Sequence, residues 1–396
     1  MDFVKAILAA EFDPVRRPFF ARVHEYFRRA ASREGAGSGL VDHAIDRLVA
    51  GGQLDDREAR ALFEQIVDGE SSDDQIGALL VALRPDVLPA ATIAAFARVM
   101  RERAATVRPL LRPGESLSDT CGTGSDTLGT FNVSTTVMFI LAAAGLKIAK
   151  HGNRAITSRC GSADVLEALG VVVTLDAPGV EACIDRVGIG FMFAPLFHRA
   201  FRNVQRIRRA LAEEMPPDLG QRSVFNVLGP LANPANAGRQ IVGVYEEALV
   251  AKVAEVLRLL RVDRALVAYG YCDGRAAGLD EFSTAGPTRY AELRDGAISE
   301  RELLPEQVGL ARVADPDVYA GGDAQRNARV LVDILEGREQ GPRMDLALLN
   351  AGAGLYLGDK AQTIADGVRL ARRLIADGLP MRKLEEFRRA THELRP

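Results

Sequence analysis

The stretch that decides the fold reads DTCGTGSDTLGTFNVST, from Asp119 to Thr135. It joins a predicted strand, Leu117–Cys121, to a helix predicted to begin at about Ser134. Its glycines let the backbone approach a ligand, and its turn amides, hydroxyls and helix N-terminus suit phosphate oxygens. Because open α/β sheets bind ligands at the carboxyl ends of their strands, the stretch predicts an anion-binding loop in an α/β fold.

This loop matches neither of the two common nucleotide-binding motifs. No Gly-Lys-Ser/Thr follows it, as a P-loop requires, and Thr127 stands where a dinucleotide fingerprint has its third glycine. A plain Gly/Thr turn between strand and helix is the alternative interpretation.

Outward from the loop, predicted strands and helices alternate from about Pro113 onward. The alternation predicts a mostly parallel central sheet with helices on both faces. The further predicted strands are Leu146–Lys150, Val171–Leu175, Phe191–Ala194, Ile241–Tyr245 and Ala265–Tyr269. The predicted helices cover residues 134–144, 162–169, 248–260, 326–336, 344–357 and 361–377.

The part of the chain before the loop is helical throughout. Its apolar residues recur at helical spacing, and Ser72 with Gln75 predicts a capping box. Residues 198–222, charged and helical, interrupt the later alternation and are expected to pack with this helical part. The predicted division is a helical extension with a Gly/Ser joint at 1–40, a small helical domain at 41–111 and a large α/β domain at 112–396.

Composition and charge narrow the class of protein. Of the 396 residues, 47% are hydrophobic and 26% charged, which is typical of a globular protein and excludes wholesale disorder. The net charge of −3 provides no basic field for nucleic acid, so any anion must be held locally. With scattered cysteines, no basic leader and no long apolar window, we expect a cytoplasmic protein without disulfide, zinc site or membrane partner.

A second loop of similar design follows the next predicted strand. KHGNR, from Lys150 to Arg154, runs on to Ser158 and Ser162. Lys150 offers phosphate a point charge, and Arg154 offers a fork for two-point contact. Ser162 is predicted to cap the next helix, so that its N-terminus faces the same anion. A lone histidine such as His151 is more often a hydrogen-bonded structural residue, since no triad or metal spacing accompanies it.

Two further features complete the candidate site. Asp280 and Glu281 lie side by side in a glycine-flanked loop, an arrangement that suits Mg²⁺ shared with substrate phosphates. Such a pair is common on protein surfaces, so it indicates a metal site only if it lies beside the two anion loops. Four arginines at mixed helical spacing could include one that pairs with a substrate carboxylate, and the residues alone do not choose among Arg202, Arg206, Arg208 and Arg209.

Taken together, these stretches resemble the anthranilate phosphoribosyltransferase family. The motifs occur in the family's order over about residues 41–380. They are DTCGTGSD, TFNVST, KHGNR, GSADVLEALG, FAP with a following histidine, VFNVLGPLANPA and LDEFS. KHGNR, NVLGPLANP and the Asp-Glu pair are specific in combination.

The resemblance implies a nucleoside phosphorylase-like phosphoribosyltransferase fold, with a small helical domain, a large α/β domain and a homodimer formed through the helical domain. It implies transfer of phosphoribose from 5-phosphoribosyl diphosphate to the amine of anthranilate, a step of tryptophan synthesis. One or two Mg²⁺ ions are implied as cofactors.

The resemblance also assigns residues. Catalysis falls to Lys150, Asp280 and Glu281, and Mg²⁺ to Ser134, Asp280 and Glu281. Anthranilate contacts are Gly122, Asn153 and Arg208, the last because it lies ten residues after His198, which is the family's spacing. The expected ligands of 5-phosphoribosyl diphosphate come from the two loops: Gly122, Thr123, Gly124, Ser125, Asp126, Thr130, Asn132, Val133, Ser134, Thr135, Lys150, His151, Gly152, Asn153, Arg154, Ser158 and Ser162.

The sequence departs from the family pattern at three places. Ser125 and Thr127 replace glycines, about seven residues near 212–218 lengthen the segment after Arg208, and residues 1–40 have no counterpart. These departures favour, as the alternative, a related transferase for another aromatic amine or heterocycle. A noncatalytic nucleic-acid-binding relative is disfavoured by the charge and the anion loops. Pyrimidine nucleoside phosphorolysis is disfavoured by NVLGPLANP and the spacing of Arg208.

Overall fold

The computed structural model describes residues 2–32, 37–124, 128–155, 159–216, 222–276 and 278–395. The chain divides into two compact units. A helical unit comprises Met1–Ala104 with His198–Gly229, and an α/β unit comprises Ala105–Phe197 with Pro230–Pro396. No helix in the described part of the chain is long and apolar enough to cross a membrane.

The helical unit begins with six helices. They are α1 (Asp2–Leu8), α2 (Pro18–Ala31), α3 (Leu40–Val49), α4 (Asp56–Val67), α5 (Asp73–Ala82) and α6 (Ala90–Glu102). The capping box predicted at α5 is confirmed, since the Ser72 hydroxyl accepts from the Gln75 amide at 3.2 Å and the Gln75 side chain accepts from the Ser72 amide. Phe63 of α4 stacks on Phe96 of α6 with ring centroids 4.6 Å apart.

The chain then enters the α/β unit. Its first elements are β1 (Leu117–Gly122), α7 (Val133–Ala143), β2 (Lys147–Gly152), α8 (Ser162–Ala168), α9 (Ala177–Val187), β3 (Ile189–Phe193) and α10 (Ala194–Phe197). It returns to the helical unit in α11 (Arg202–Glu214) and in most of α12 (Val224–Leu231). The amide of Val224 donates to the carbonyl of Leu83 at 2.7 Å and so joins the two stretches of the helical unit.

The α/β unit is completed by a second run of elements. They are β4 (Arg239–Gly243), α13 (Leu249–Leu259), β5 (Arg264–Gly270), β6 (Thr288–Arg294), β7 (Ala297–Leu303), α14 (Ala324–Leu335), α15 (Pro342–Leu357), α16 (Ile364–Ala376) and α17 (Leu379–Glu393). Helix α15 is buried along nearly its whole length and packs against α7 and α16.

Within the described residues the strands form one seven-stranded sheet in the order β3-β2-β1-β4-β5-β6-β7. Pairing from β3 to β5 is parallel, while β6 and β7 pair antiparallel at one edge. The predicted, mostly parallel sheet is therefore confirmed. The hairpin of β6 and β7, and the helices α9 and α17, are additions that the sequence patterns did not predict.

One predicted strand, Val171–Leu175, is wrong. Its residues alternate between buried and more exposed positions, as in a strand, but the segment pairs with no strand of the described chain. The amide of Val172 instead donates to the hydroxyl of Thr391 on α17 at 3.1 Å. The apolar alternation thus reflects an extended segment packed beneath a helix.

Candidate active site

The centre of the sheet contains its topological switch point. From β1 the chain continues to β2 and β3 on one side, and later to β4 and β5 on the other. Gly122 and Gly243 are paired at the carboxyl ends of β1 and β4. Ligands of open α/β sheets bind in the crevice that such a reversal leaves.

Asp280 lies directly over these two glycines. A Cβ on Gly122 would come within 2.3 Å of Asp280 Oδ2, and one on Gly243 within 1.5 Å of the Asp280 carbonyl oxygen. The same Oδ2 accepts the Gly124 amide at 2.7 Å. The glycines therefore admit the acidic loop to the strand ends, and Asp280 lies in contact with the first anion loop.

Lys150 reaches the same strand end from β2. It is only 2% exposed, and its Nζ donates to the Thr120 carbonyl at 2.5 Å and to Ser134 Oγ at 3.4 Å. Thr120 and Gly122 are two residues apart on β1, which is about 7 Å of strand. The lysine and Asp280 thus contact the same short length of β1.

The pKa of the Cys121 thiol depends on the charged residues around this end of β1. Burial raises its pKa well above the ordinary value, and Asp119 and Glu281 add to the increase while Lys150 opposes it. Charged residues of β1, of β2 and of the loop that contains Glu281 therefore all act on this one thiol.

A buried hydrogen-bond network joins β1 and β2 next to the site. Asp119 Oδ2 accepts from Asn233 Nδ2 at 2.7 Å and lies 2.8 Å from His151 Nδ1. Asn233 also donates to the Ala149 carbonyl at 2.8 Å. Burial by itself raises the pKa of Asp119, but His151, Lys150 and Asn233 favour the carboxylate and hold its pKa below the ordinary value. His151 therefore has the structural partner that the sequence interpretation favoured.

The second anion loop differs in two details from the sequence prediction. Ser162 is the first residue of α8 and not its cap, because Gly161 takes that position and its amide donates to Asp164 at 2.8 Å. The Arg154 fork is engaged by Glu167 at 2.7 and 3.2 Å and lies over the Phe193 ring at 4.7 Å. In this structure Arg154 is thus held by a carboxylate of α8.

Asn153 and Ser162 lie close to each other in that loop. The amide of Ala163 donates to the Asn153 carbonyl at 3.2 Å, and the hydroxyl of Ser162 lies over Gly152, where a Cβ would meet it at 2.0 Å. The loop after β2 is thereby folded against the start of α8.

Asn132, at the start of α7, lies between the two loops. Its Nδ2 donates to the Cys160 carbonyl at 3.3 Å, and its Oδ1 accepts from Asn327 at 2.9 Å. Asn327 is 2% exposed and lies on α14, about 200 positions later, so no local pattern could have identified it.

The other predicted residues of the first loop have varied surroundings. Thr130 forms a bridge with Ala320. Val133 is 1% exposed and its amide donates to the Phe131 carbonyl at 2.6 Å, so it serves the packing of α7. The side chain of Thr135 is also buried, at 1% exposed. Thr123 is held at the strand ends, since its amide donates to the Gly243 carbonyl at 3.0 Å. Ser125, Asp126 and Thr127 of this loop lie outside the described residues, as does Ser158 of the second loop.

Arg208 belongs to the helical unit, whereas Gly122 and Asn153 belong to the α/β unit. The guanidinium is half-buried, lies 6.0 Å from the Phe225 ring centroid and has no carboxylate partner in the described part of the chain. Burial lowers the pKa of Arg208 to about 10, so the group keeps its charge at neutral pH.

The donor set fits a metal ion that is shared with a substrate. No group of three or more histidine, cysteine or acidic residues suited to a metal occurs within the described ranges. Asp280 and Glu281 supply two adjacent carboxylates, one oxygen of which already accepts the Gly124 amide. Mg²⁺ is commonly held by one or two carboxylates, waters and substrate phosphates, so these residues fit Mg²⁺ better than a closed protein site.

Comparison with known proteins defines the class. Residues 42–104 match the model of the glycosyl transferase family, helical bundle domain, and residues 114–381 match that of the glycosyl transferase family, a/b domain. The fold and the site thus define a glycosyl transferase built from these two domains.

Curated relatives specify the family. The chain is 45% identical to the anthranilate phosphoribosyltransferase of Pelotomaculum thermopropionicum over 348 residues, covering 88% of this chain and 96% of that protein. It is likewise 45% identical to the enzyme of that name from Rubrobacter xylanophilus over 355 residues, covering 90% and 98%. The chain belongs to the anthranilate phosphoribosyltransferase family.

Solved structures agree with this assignment. Anthranilate phosphoribosyltransferase from Thermus thermophilus superposes with a TM-score of 0.77 at 38% identity, covering 88% of this chain and 99% of that one. The enzyme from Saccharomyces cerevisiae, in complex with 5-phosphoribosyl diphosphate and Mg, has a TM-score of 0.77 at 27% identity, covering 90% and 99%.

Proposed function

We propose that this chain transfers the 5-phosphoribosyl group from 5-phosphoribosyl diphosphate to the amine of anthranilate, a step of tryptophan synthesis. The products are N-(5-phosphoribosyl)anthranilate and diphosphate. The observation that carries the proposal is the Asp280 carboxylate seated over Gly122 and Gly243 at the switch point, beside the buried Lys150. Relatives of that name at 45% identity support it.

The diphosphate sugar binds to the two glycine-rich loops. Among the described residues, Gly122, Thr123, Gly124 and the start of α7 bind it from one side, and residues 150–155 and 159–162 bind it from the other. Asp280 and Glu281, with Ser134, would hold Mg²⁺, which would neutralise negative charge on the diphosphate. The relative crystallised with 5-phosphoribosyl diphosphate and Mg supports the use of this metal.

Lys150 stabilises the leaving group. As the bond from ribose carbon to diphosphate breaks, positive charge builds on the sugar and negative charge on the diphosphate. The Lys150 ammonium is 2% exposed, so its field is weakly screened where that negative charge develops. Catalysis then rests on positioning and electrostatic stabilisation rather than on a strong base, because the aromatic amine is already neutral.

Arg208 and Asn153 position the acceptor. A half-buried guanidinium without a protein carboxylate partner among the described residues is suited to two-point contact with the anthranilate carboxylate. Asn153 orients the amine toward the sugar.

The test is an assay of purified protein with Mg²⁺, 5-phosphoribosyl diphosphate and anthranilate. We expect loss of anthranilate fluorescence with one diphosphate released for each molecule consumed. Binding of the diphosphate sugar without consumption of anthranilate would contradict the proposal, and a screen of other aromatic amines would then identify the acceptor.

The proposal extends to assembly and location. A homodimer through the helical unit is expected, as the resemblance to the family implies. Sedimentation should give twice the 42.7 kDa of one chain. The four cysteines form no disulfide, which supports a cytoplasmic location, and the net charge of −3 supports small-molecule substrates rather than nucleic acid.

A further inference from the structure

The first two helices of the chain precede the match to the helical bundle family, which begins at residue 42. Helix α2 nevertheless packs within the helical unit, against α3, α5 and α11. Phe19 and Phe20, in its first turn, are 7% and 0% exposed. The segment is therefore an integral part of the unit.

Helix α2 has no cap of its own. Arg17 occupies the cap position without a side-chain acceptor, and the first turn contains no acidic residue. The missing acceptor comes from the last residue of α11, because Glu214 Oε2 accepts the amides of Phe19 at 2.7 Å and Phe20 at 3.0 Å. Arg17 in turn donates to the Glu214 carbonyl at 2.6 Å. A carboxylate at this end also complements the helix dipole.

Helix α11 depends on such contacts for its orientation. Only Val204, Ile207 and Leu211 of its residues are buried apolar side chains, and they form a narrow stripe along one face. At its first half Arg206 pairs with Asp73 of α5, but both side chains are about half exposed, and exposed pairs contribute little. The contact of Glu214 with two backbone amides is firmer than this exposed ion pair.

Arg208 lies on this same helix, six residues or about 9 Å before Glu214. Its guanidinium has no carboxylate to hold it in the described part of the chain, so its position follows that of α11. Glu214 also lies within the stretch near 212–218 that lengthens this chain relative to the family pattern. The two departures from that pattern, the extension and the lengthened segment, thus contact each other.

We propose that the contact between Glu214 and the start of α2 positions Arg208 for the acceptor carboxylate. Glu214 is a positioning residue, and the extension is a specificity element of the acceptor site. The inference rests on the proposed function, since it takes Arg208 as the anthranilate contact.

The test uses the full-length chain with Glu214→Gln, which keeps the size of the side chain and removes its charge. Anthranilate and 5-phosphoribosyl diphosphate are varied separately. The KM for anthranilate should rise about two- to fivefold, the range given when the capping oxygen keeps its place at the helix N-terminus but loses its negative charge. The KM for the diphosphate sugar should stay within about twofold.

Glu213→Gln is the matched control, since Glu213 is the adjacent glutamate on the same helix and does not cap α2. Both KM values should remain those of the wild type. Partial unfolding cannot imitate the expected result, because it lowers the active fraction and hence kcat without raising one KM selectively.

A double variant separates positioning from general stabilisation. If Glu214 acts through Arg208, the effect of Glu214→Gln on the anthranilate KM disappears in an Arg208→Ala background. An additive effect, an equal rise of both KM values, or no rise at all overturns the proposal.

Gly77→Ala provides a second route that leaves Glu214 intact. A Cβ on Gly77 of α5 would meet Val23 Cγ2 at 2.7 Å and Phe19 Cζ at 2.8 Å, so these two buried side chains of α2 have to shift, and Phe19 is one of the residues that Glu214 caps. The same selective rise in the anthranilate KM is expected, and this variant decides the matter if Glu214→Gln does not fold. If the wild type is active but the KM values of these variants are unchanged, this inference alone is overturned. If the wild type shows no turnover, the proposed function itself is overturned.

Discussion

At the scale of single residues, Arg208 stands apart from the other arginines of its helix. Arg206 is more than half exposed and pairs with Asp73, and Arg202 and Arg209 are exposed. The spacing from His198 pointed to Arg208, and the structure adds a physical reason, namely a half-buried charge that lacks a protein carboxylate within the described residues.

Replacing Arg208 by alanine is expected to weaken acceptor binding chiefly. Loss of a charged hydrogen-bonded contact costs about 1.5–3 kcal/mol, which raises the anthranilate KM by about ten- to 150-fold. Arg209→Ala, an exposed neighbour, is the control and should leave the KM unchanged. Equal losses with carboxylated and uncarboxylated aromatic amines would refute the role of Arg208.

Asp119 illustrates a residue whose charge is maintained by its neighbours. Its pKa lies below the ordinary value, so the carboxylate stabilises the fold at pH values above the unfolded pKa of about 3.9. That contribution is lost as the pH falls through the folded pKa.

Asp119→Asn should therefore reduce the free energy of unfolding at pH 7 by about 3 kcal/mol, because His151 and Asn233 lose a charged partner. Urea unfolding of both proteins between pH 3 and 7 measures the difference. It should be constant above about pH 5 and shrink below about pH 4. A difference that grows toward low pH would show that the sign is wrong.

At the scale of elements, helices α15 and α16 pack unusually closely. A Cβ on Gly367 of α16 would lie 2.3 Å from the backbone carbonyl oxygen of Gly352 on α15. Backbone atoms cannot move aside as the end of a side chain can, so the two helices approach through glycine at this point.

Gly367→Ala should separate these helices and cost about 1–3 kcal/mol or more, the range for overpacking in a core. Arg369→Ala is the control, because it lies on the same helix, its side chain is largely exposed and its ion pair with Asp366 contributes little. Thermal unfolding of both variants measures the contrast. A Gly367→Ala protein as stable as the control would show that the helices can shift without cost.

The elements also show where sequence patterns suffice. Strands β1 to β5 were predictable because buried parallel strands read as short apolar runs between helices. The hairpin of β6 and β7 is absent from the predicted strands, although Asp295-Gly296 carries its signal, with φ values of 52° and 76° that suit a two-residue turn. The error at Val171–Leu175 arises because burial beneath a helix produces the same alternation as a strand.

At the scale of the whole molecule, both anion loops and the Asp280-Glu281 pair belong to the α/β unit. A ligand bound there should stabilise that unit selectively. With 5-phosphoribosyl diphosphate and Mg²⁺ at about 100 times the Kd, the expected gain is about 2.7 kcal/mol.

Differential scanning calorimetry should then show a higher Tm with both ligands, and EDTA should remove most of the increase. The double variant Asp280→Asn with Glu281→Gln should lose turnover and its Mg²⁺-dependent part of the Tm shift. An unchanged Mg²⁺-dependent shift in that variant would place the metal elsewhere.

The candidate site was predictable only where its residues follow one another in the chain. Lys150 and the Asp280-Glu281 pair lie in compact motifs at strand ends, where chemistry can be read from spacing. Asn233 and Asn327, which hold Asp119 and Asn132, come from elements more than 100 positions away. Their roles depend on tertiary contacts, which cannot be predicted from the local sequence around either asparagine.

The helical unit is assembled from two stretches, and residues 105–197 lie between them. During translation, its first six helices leave the ribosome well before α11 and α12 do. At about 5–20 residues per second, this delay is roughly 5–20 seconds. In the folded protein Phe201 and Phe225 pack against Phe63. Until they are synthesised, the apolar surface around Phe63 is exposed to solvent, so we expect nascent chains of this protein to bind ribosome-associated chaperones.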